Sequence, residues 1–219
     1  MLHTTELTLY LDEQPLLTLP PLTVAPGEVL TLMGPSGCGK SSLLAAFAGV
    51  LPPGPIRLAG EIRLGERLLT PLMPQARRIG MLFQDDLLFA HLTVAENLMF
   101  GMPAHLGGMA ARRACALEAL AEVGLEGQAD KLPGQLSGGQ KARVSLLRAL
   151  LAEPEALLLD EPFSRLDKPL RAAFRTLVFE RLKTLGIPAL LVTHDEEDAP
   201  GAILTLTTPC LTKEDTDLV

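Results

Sequence analysis

Val29-Leu-Thr-Leu-Met33 runs without a break into Gly34-Pro-Ser-Gly-Cys-Gly-Lys-Ser41, and Lys40 to Val50 then reads as a helix with Gly49 and Pro52 near its end. A buried strand, a glycine-rich loop and a helix in that order fit few folds. The glycines let backbone N–H groups crowd around phosphate oxygens, and the dipole of the following helix favours that negative charge. Lys40 is placed to reach β- and γ-phosphates, and the Ser41 hydroxyl to ligate Mg²⁺. Chance would produce such a pattern in roughly one chain in a hundred of this length. An ordinary Gly-rich turn is the competing reading, and the flanking strand and helix count against it.

The alternation continues along the chain. Thr5–Leu11 and Leu16–Val24 are alternating or β-rich, and Pro26-Gly27 turns the chain toward the core strand. Ile56–Leu69 reads as a hairpin with Gly60 and Gly65 at turns. Ile79-Gly-Met-Leu-Phe83 is another buried strand, closed by Gln84-Asp85-Asp86. From Leu87 to Leu136 the pattern turns helical, clearest over Ala110–Val123 with Gly124 as its stop. Ser137 reads as the N-cap of a helix through about Ala152, with Val144, Leu147 and Leu151 on one face. Ala156–Asp160 and Ala189–Thr193 are short buried strands separated by a helix near Leu170–Leu185, and a last strand lies near Ile203–Thr207. Buried strands alternating with helices predict a mostly parallel α/β sheet. Residues 1–219 read as one domain, with a core at about 1–84 and 154–219 and a helical insertion at about 85–153.

Composition narrows the partners. With 219 residues, 47% of them hydrophobic, the chain can bury a sizeable core. A formal net charge of -7 argues against nucleic acid, whose partners usually carry a basic face. Cys38, Cys115 and Cys210 show neither a CxxC spacing nor a disulfide framework, which suits a reducing cytosol. Met1–Leu7 lacks the basic-then-apolar order of a signal peptide. No apolar run approaches the ~18–20 residues that span a bilayer, so work at a membrane calls for spanning helices from another chain.

Further residues carry chemistry. Asp160 ends an apolar strand, where a carboxylate is costly without a partner. Mg²⁺ is one such partner, and a salt bridge at the strand end is the bland alternative. Glu161 faces the other way and can polarise an attacking water. Gln84 sits where a buried strand meets the helical insertion, and its amide can touch both Mg²⁺ and water; a lone Gln is more often a surface residue. His194 follows a buried strand and can donate to a γ-phosphate from one nitrogen while neutral at the other, although a strand-end His is commonly structural or exposed. Ser137-Gly138-Gly139 leaves backbone N–H groups free at a helix N-terminus, a second anion-binding element or a plain cap.

With these elements in order, the chain resembles the ATP-binding subunit of an ABC transporter over nearly its whole length, closest to the short YnjD-type subunits of bacterial import systems. Gly34, Pro35, Ser36, Gly37, Cys38, Gly39, Lys40 and Ser41 match the Walker A loop, with Ser42 next to it, and Gln84 matches the Q-loop. Leu136 through Gln140 match the signature motif, Leu157–Asp160 with Glu161 the Walker B strand and catalytic glutamate, Ser164–Asp167 the D-loop, and Thr193-His194-Asp195 the H-loop. The resemblance implies a P-loop NTPase core with an N-terminal antiparallel β subdomain and an inserted helical subdomain. It implies ATP and Mg²⁺ as ligands: Glu161, His194 and Gln84 act in hydrolysis, and Ser41, Gln84 and Asp160 hold the metal. It further implies that two copies pack head to tail, each placing Ser137, Gly138, Gly139, Gln140 and Asp167 at the ATP of the other. Tyr10 stands at about the right distance before Gly27 for the family's adenine-stacking aromatic, with a plain strand aromatic as the other reading. Transmembrane permease subunits are implied as partners, with an extracytoplasmic solute-binding protein in the same system, at the cytoplasmic face of the inner membrane. Leu87, Leu88 and Phe89 are expected as wall residues for the permease's coupling helix, with core packing as the other reading of such an apolar run.

Departures from the family pattern are Ala142 where glutamine is common, Arg165 in place of a small D-loop residue, and a short stretch after His194. No regulatory C-terminal domain is expected. A soluble ABC ATPase of repair or translation is the alternative, disfavoured by the short span from Gln84 to Ser137, which has no sustained heptads. A regulatory module without turnover is a third, opposed by the presence of both Asp160 and Glu161.

Overall fold

The computed structural model describes residues 1–206; Thr207, the expected end of the last strand, and Cys210 lie outside the described residues. The N-terminal part holds β1 (Leu2–Thr4), β2 (Leu7–Leu11), β3 (Gln14–Leu19) and β4 (Thr23–Val24). The core strand β5 (Val29–Met33) feeds the glycine-rich loop and α1 (Lys40–Ala48), and then come β6 (Ile56–Ala59), β7 (Ile62–Leu64) and β8 (Arg67–Leu68). A single turn α2 (Pro74–Arg77) leads to β9 (Ile79–Leu82). Three longer helices follow, α3 (Val94–Gly101), α4 (Met109–Glu122) and α5 (Gly138–Leu151). The chain returns through β10 (Ala156–Asp160), α6 (Lys168–Leu185), β11 (Ala189–Val192) and β12 (Ile203–Thr205).

The central sheet runs β12-β5-β11-β10-β9, and every pairing in it is parallel. Leu157–Leu159 and Ala189–Leu191 are fully buried, as expected for strands covered on both faces. The register decides function. Asp160 pairs with Val192, and Val192 with Leu32, so these strands end at one edge. Residues that follow them, Gly34, Glu161 and His194, therefore emerge side by side, at the carboxyl edge where open α/β sheets hold ligands.

Two antiparallel sheets flank this core, in the orders β4-β1-β7-β8 and β3-β2-β6. Here the hairpin reading of Ile56–Leu69 needs correction. Only β7 and β8 form a hairpin, turning at Gly65. β6 pairs with β2, whereas β7 pairs with β1, so the chain changes sheets at Gly60. Local alternation cannot distinguish a turn within a sheet from a crossing between two. Gly60 has φ 104°, and a Cβ there would lie 2.2 Å from the Glu6 carbonyl oxygen. Gly60→Ala adds backbone strain to a backbone clash and is expected to cost roughly 2–5 kcal/mol, read as a Tm lower by roughly 5–15 °C. An unshifted Tm would mean that the crossing is not built this way.

A buried arginine that sequence patterning does not reveal anchors the helix behind the loop. Arg77 donates to the Ala46 and Phe47 carbonyls at the end of α1, at 2.7 and 2.9 Å, and to the Leu72 and Thr70 carbonyls. It satisfies carbonyls that a helix C-terminus leaves orphaned. Burial pulls the pKa of its guanidinium below the ordinary arginine value. α3, α4 and α5 enclose a core of their own around Leu98, Leu120, Val144 and Leu147. α5 also turns Ala142 and Leu146 into the cluster beneath the central sheet, so one helix serves both cores.

Candidate ATP site

The loop between β5 and α1 wraps an open cleft of about 290 Å³, lined by Ser36, Gly37, Gly39, Lys40, Ser41 and Ser42 with Glu161 and Val192. Gly37 and Gly39 have φ of 81° and 92°, the left-handed conformation that lets successive N–H groups face inward. Lys40 is only 8% exposed, and its ammonium donates to the Gly34 and Pro35 carbonyls at 2.9 and 2.8 Å. A cation held on the loop's own carbonyls over an anion-binding concavity is available to a phosphate.

The Ser41 hydroxyl donates to Asp160 Oδ1 at 3.2 Å, across a sequence separation of 119 residues. Burial pushes the Asp160 carboxyl above the ordinary carboxylate range, the Ser41 hydrogen bond pulls it partly back, and Glu161 pushes it up again. Such a group weakens the fold as pH rises through its raised pKa, and a cation offsets that cost. A hydroxyl and a carboxylate are hard oxygen donors that suit Mg²⁺. Among the described residues no group of three or more His, Cys, Asp or Glu is arranged to hold a metal alone. The fit is to a cation shared with phosphate oxygens.

Glu161 stands at the end of β10 with φ 45°, a strained conformation for a side-chain-bearing residue. Its N–H donates to the Val192 carbonyl at 2.9 Å, and its own carbonyl accepts from the Ser164 hydroxyl at 2.9 Å. Thus pinned, its carboxylate reaches the cleft, with Oε2 3.3 Å from His194 Nδ1.

A glycine-rich loop, a paired Ser41 and Asp160, and a Glu161 beside His194 now share one sheet edge, and the comparisons agree with it. The model of the ABC transporter family matches residues 19–164. The chain belongs to the ABC transporter family. It is an ATP-binding subunit of that family, and its chemistry is ATP hydrolysis. It is 50% identical over 201 residues to "Uncharacterized ABC transporter ATP-binding protein YnjD" of Escherichia coli (strain K12), covering 92% of each chain. It is 43% identical over 178 residues to "Fe(3+) ions import ATP-binding protein FbpC 1" of Rhizobium meliloti (strain 1021), covering 81% of this chain and 49% of that one. With "Molybdenum import ATP-binding protein ModC" of Mycobacterium tuberculosis it shares 45% identity over 183 residues, 79% of this chain and 48% of the other. The chain thus spans about half the length of these iron and molybdenum relatives. Among solved structures, the cassette MJ0796 in a dimeric post-hydrolysis state with ADP and Pi is similar, at TM-score 0.78 and 30% identity over 94% of both chains.

Other expected site residues of this cassette lie outside the cleft. Gln84 lines a neighbouring cavity of about 300 Å³ with Gly138, Lys141 and Arg165. Ser137 caps α5, its hydroxyl accepting from Gln140 N–H at 3.3 Å, while Gln140 Oε1 accepts from Ser137 N–H at 2.9 Å. That reciprocal capping commits the Gln140 amide oxygen to its own helix. Gly138 is open, but a Cβ on Gly139 would fall 2.0 Å from Leu170 Cδ2, so Gly139 is also needed for α5 to pack on α6. Asp167 Oδ1 caps α6 by accepting from Leu170 N–H at 3.0 Å. On Tyr10 the Arg57 guanidinium stacks at 4.3 Å from the ring centroid. Arg165, the departure from a small residue, pairs with Asp85 beside Gln84.

A larger cavity of about 390 Å³ lies at the opposite end of β5, between Glu28 and Lys183. It sits at the amino edge of the parallel strands, where no glycine-rich loop meets a helix.

Proposed function

We propose that two copies of this chain pack head to tail, and that ATP binding and hydrolysis between them drive import through separate membrane subunits. The observation that carries the reading is the Ser41–Asp160 contact of 3.2 Å in a cleft that also holds Lys40 and Glu161. In this reading Lys40 leaves the Gly34 and Pro35 carbonyls for the β- and γ-phosphates, and Glu161 accepts a proton from the attacking water while His194 orients it. Ser41 and Asp160 would hold Mg²⁺, with Gln84 as a further ligand, and the ion would supply neutralisation of phosphate charge. Tyr10 or a neighbour meets the adenine.

The signature turn supports the pairing. Ser137 and Gly138 are exposed and line none of the Lys40 cleft, so the Ser137 hydroxyl and the Gly138 N–H, which a helix start leaves without an intrahelical partner, suit a partner's ATP. Dimers are also the form of the similar cassette MJ0796. We assign residues 85–153 as the part that receives the permease: Leu87 is exposed, Phe100 is 67% exposed and Phe89 packs against it with tilted rings, centroids 4.6 Å apart. Leu88 packs inward against the helical core instead, so only part of the expected wall faces out. No helix among the described residues is long and apolar enough to cross a membrane. The assembly then works at the cytoplasmic face of the inner membrane, with an extracytoplasmic solute-binding protein delivering cargo.

A phosphate-release assay tests the site. The purified protein is expected to hydrolyse ATP with Mg²⁺, to stop on chelation, and to lose about 10²–10³-fold in rate as Asp160→Asn. Wild-type turnover by Asp160→Asn would sink the assignment.

A further inference from the structure

His194 is 65% exposed, and its only polar contact among the described residues is Glu161, yet both of its chain neighbours are tied down. The tie is a carboxylate that the hydrolytic reading does not use. Asp198 is 2% exposed and accepts from Arg171 Nε at 2.9 Å and Nη2 at 2.5 Å. Its Oδ2 also accepts from the Thr193 hydroxyl at 3.2 Å, and that hydroxyl accepts from Asp195 N–H at 3.2 Å. Arg171 Nη2 reaches Asp195 Oδ2 at 2.7 Å, and Arg175 adds a contact to Asp198 Oδ1 at 3.4 Å. Residues on both sides of His194 are therefore fastened to α6, Asp195 by its own contact with Arg171 and Thr193 through the Arg171–Asp198 ion pair.

Burying an aspartate is costly, and a buried ion pair seldom raises stability over apolar packing; what it can supply is a single geometry. That geometry is needed here. β11 ends at Val192, and the next backbone hydrogen bond, Thr193 N–H to the Leu32 carbonyl, is stretched to 3.5 Å. Beyond that point the sheet no longer positions the chain. Arg171 lies in the first turn of α6, its N–H bonded at 2.8 Å to the carbonyl of Asp167, which ends the segment leading from Glu161. The same ion pair thus references the His194 turn to the helix that follows Glu161.

We propose that Asp198 and Arg171 are positioning residues for His194 in ATP hydrolysis, holding its imidazole in register with Glu161. This rests on the reading of His194 as a hydrolytic group. The test uses the full-length protein in a double-mutant cycle of Asp198→Asn and His194→Ala. Asp198→Asn is expected to lower kcat by ~10²-fold while leaving the ATP dissociation constant within about 2-fold. Added to His194→Ala, it should cost less than about 2-fold more, because the group it positions is gone. A full additional loss in the double variant, or an unchanged kcat in the single one, overturns the inference. His194→Ala at wild-type rate instead overturns the reading of His194 itself.

Nuclear magnetic resonance supplies a readout independent of turnover. The His194 ring signals, assigned by their loss in His194→Ala, should shift in Asp198→Asn while those of His3, His91 and His105 stay; unmoved His194 signals count against the inference. If Asp198→Asn does not fold, Arg171→Lys keeps the charge but loses the two-pronged contact. It should then give a smaller loss of kcat with the same non-additivity, and additivity there overturns the inference equally.

Discussion

Glu161→Gln is expected to bind ATP as well as the wild type and to turn it over at least about 10²–10³-fold more slowly, leaving a stable ATP-bound dimer. The substitution keeps size and shape, so the pinned backbone is undisturbed: the N–H stays on Val192 and the carbonyl on the Ser164 hydroxyl. What is lost is the capacity to take a proton. The strained φ of 45° makes the same point from the backbone side, since a strain of about 1–3 kcal/mol persists where the surroundings over-determine it, commonly at working sites. Size-exclusion chromatography with ATP should move the variant from monomer to dimer. Hydrolysis at the normal rate would remove Glu161 from the mechanism, and a variant that no longer binds ATP would move it from catalysis to binding.

Ser137→Asp is the second large effect. Aspartate is as good an N-cap as serine, so α5 should keep its start and the isolated chain its affinity for ATP. In the head-to-tail pair, however, the new carboxylate would face a partner's phosphates. Two like charges about 4 Å apart repel by about 4 kcal/mol near a protein surface, on the order of a thousandfold. ATP-driven dimerisation and hydrolysis should both collapse while nucleotide binding to the monomer stays within about 2-fold. Loss of monomer affinity would instead show that Ser137 serves its own cleft. The exposed Ser137, absent from the lining of the Lys40 cleft, favours the first outcome.

Much of this was legible in the chain because the decisive elements are local. A buried strand, a loop needing left-handed glycines and a helix N-terminus follow one another within Val29–Ala48, so short-range pattern suffices to read them. The same holds for Ala156–Asp160 and for the Ser137 cap, whose partner Gln140 is three residues away. Legibility fails where partners are distant in sequence. Ile56–Leu69 has the alternation of a hairpin, and only pairing with β2 and β1 separates its two halves. Arg77, the Arg171–Asp198 pair and the packing of Gly139 under Leu170 leave no periodic signal, because each depends on a contact with another element. Gln84, read as part of the metal site, lines the neighbouring cavity here, its loop tied to the segment after Glu161 by Asp85 and Arg165.

The sequence by itself determined the chemical groups: an ammonium and a hydroxyl on a phosphate loop, two carboxylates at one strand end and an imidazole at another. It could do so because each sits at the boundary of a short apolar segment, where a polar residue stands out. Only the tertiary structure decided which of these groups meet. Ser41 reaches Asp160, and Glu161 reaches His194, because β5, β11 and β10 are parallel and in register. Register is set by burial and pairing across the whole sheet, and no window of the chain contains it.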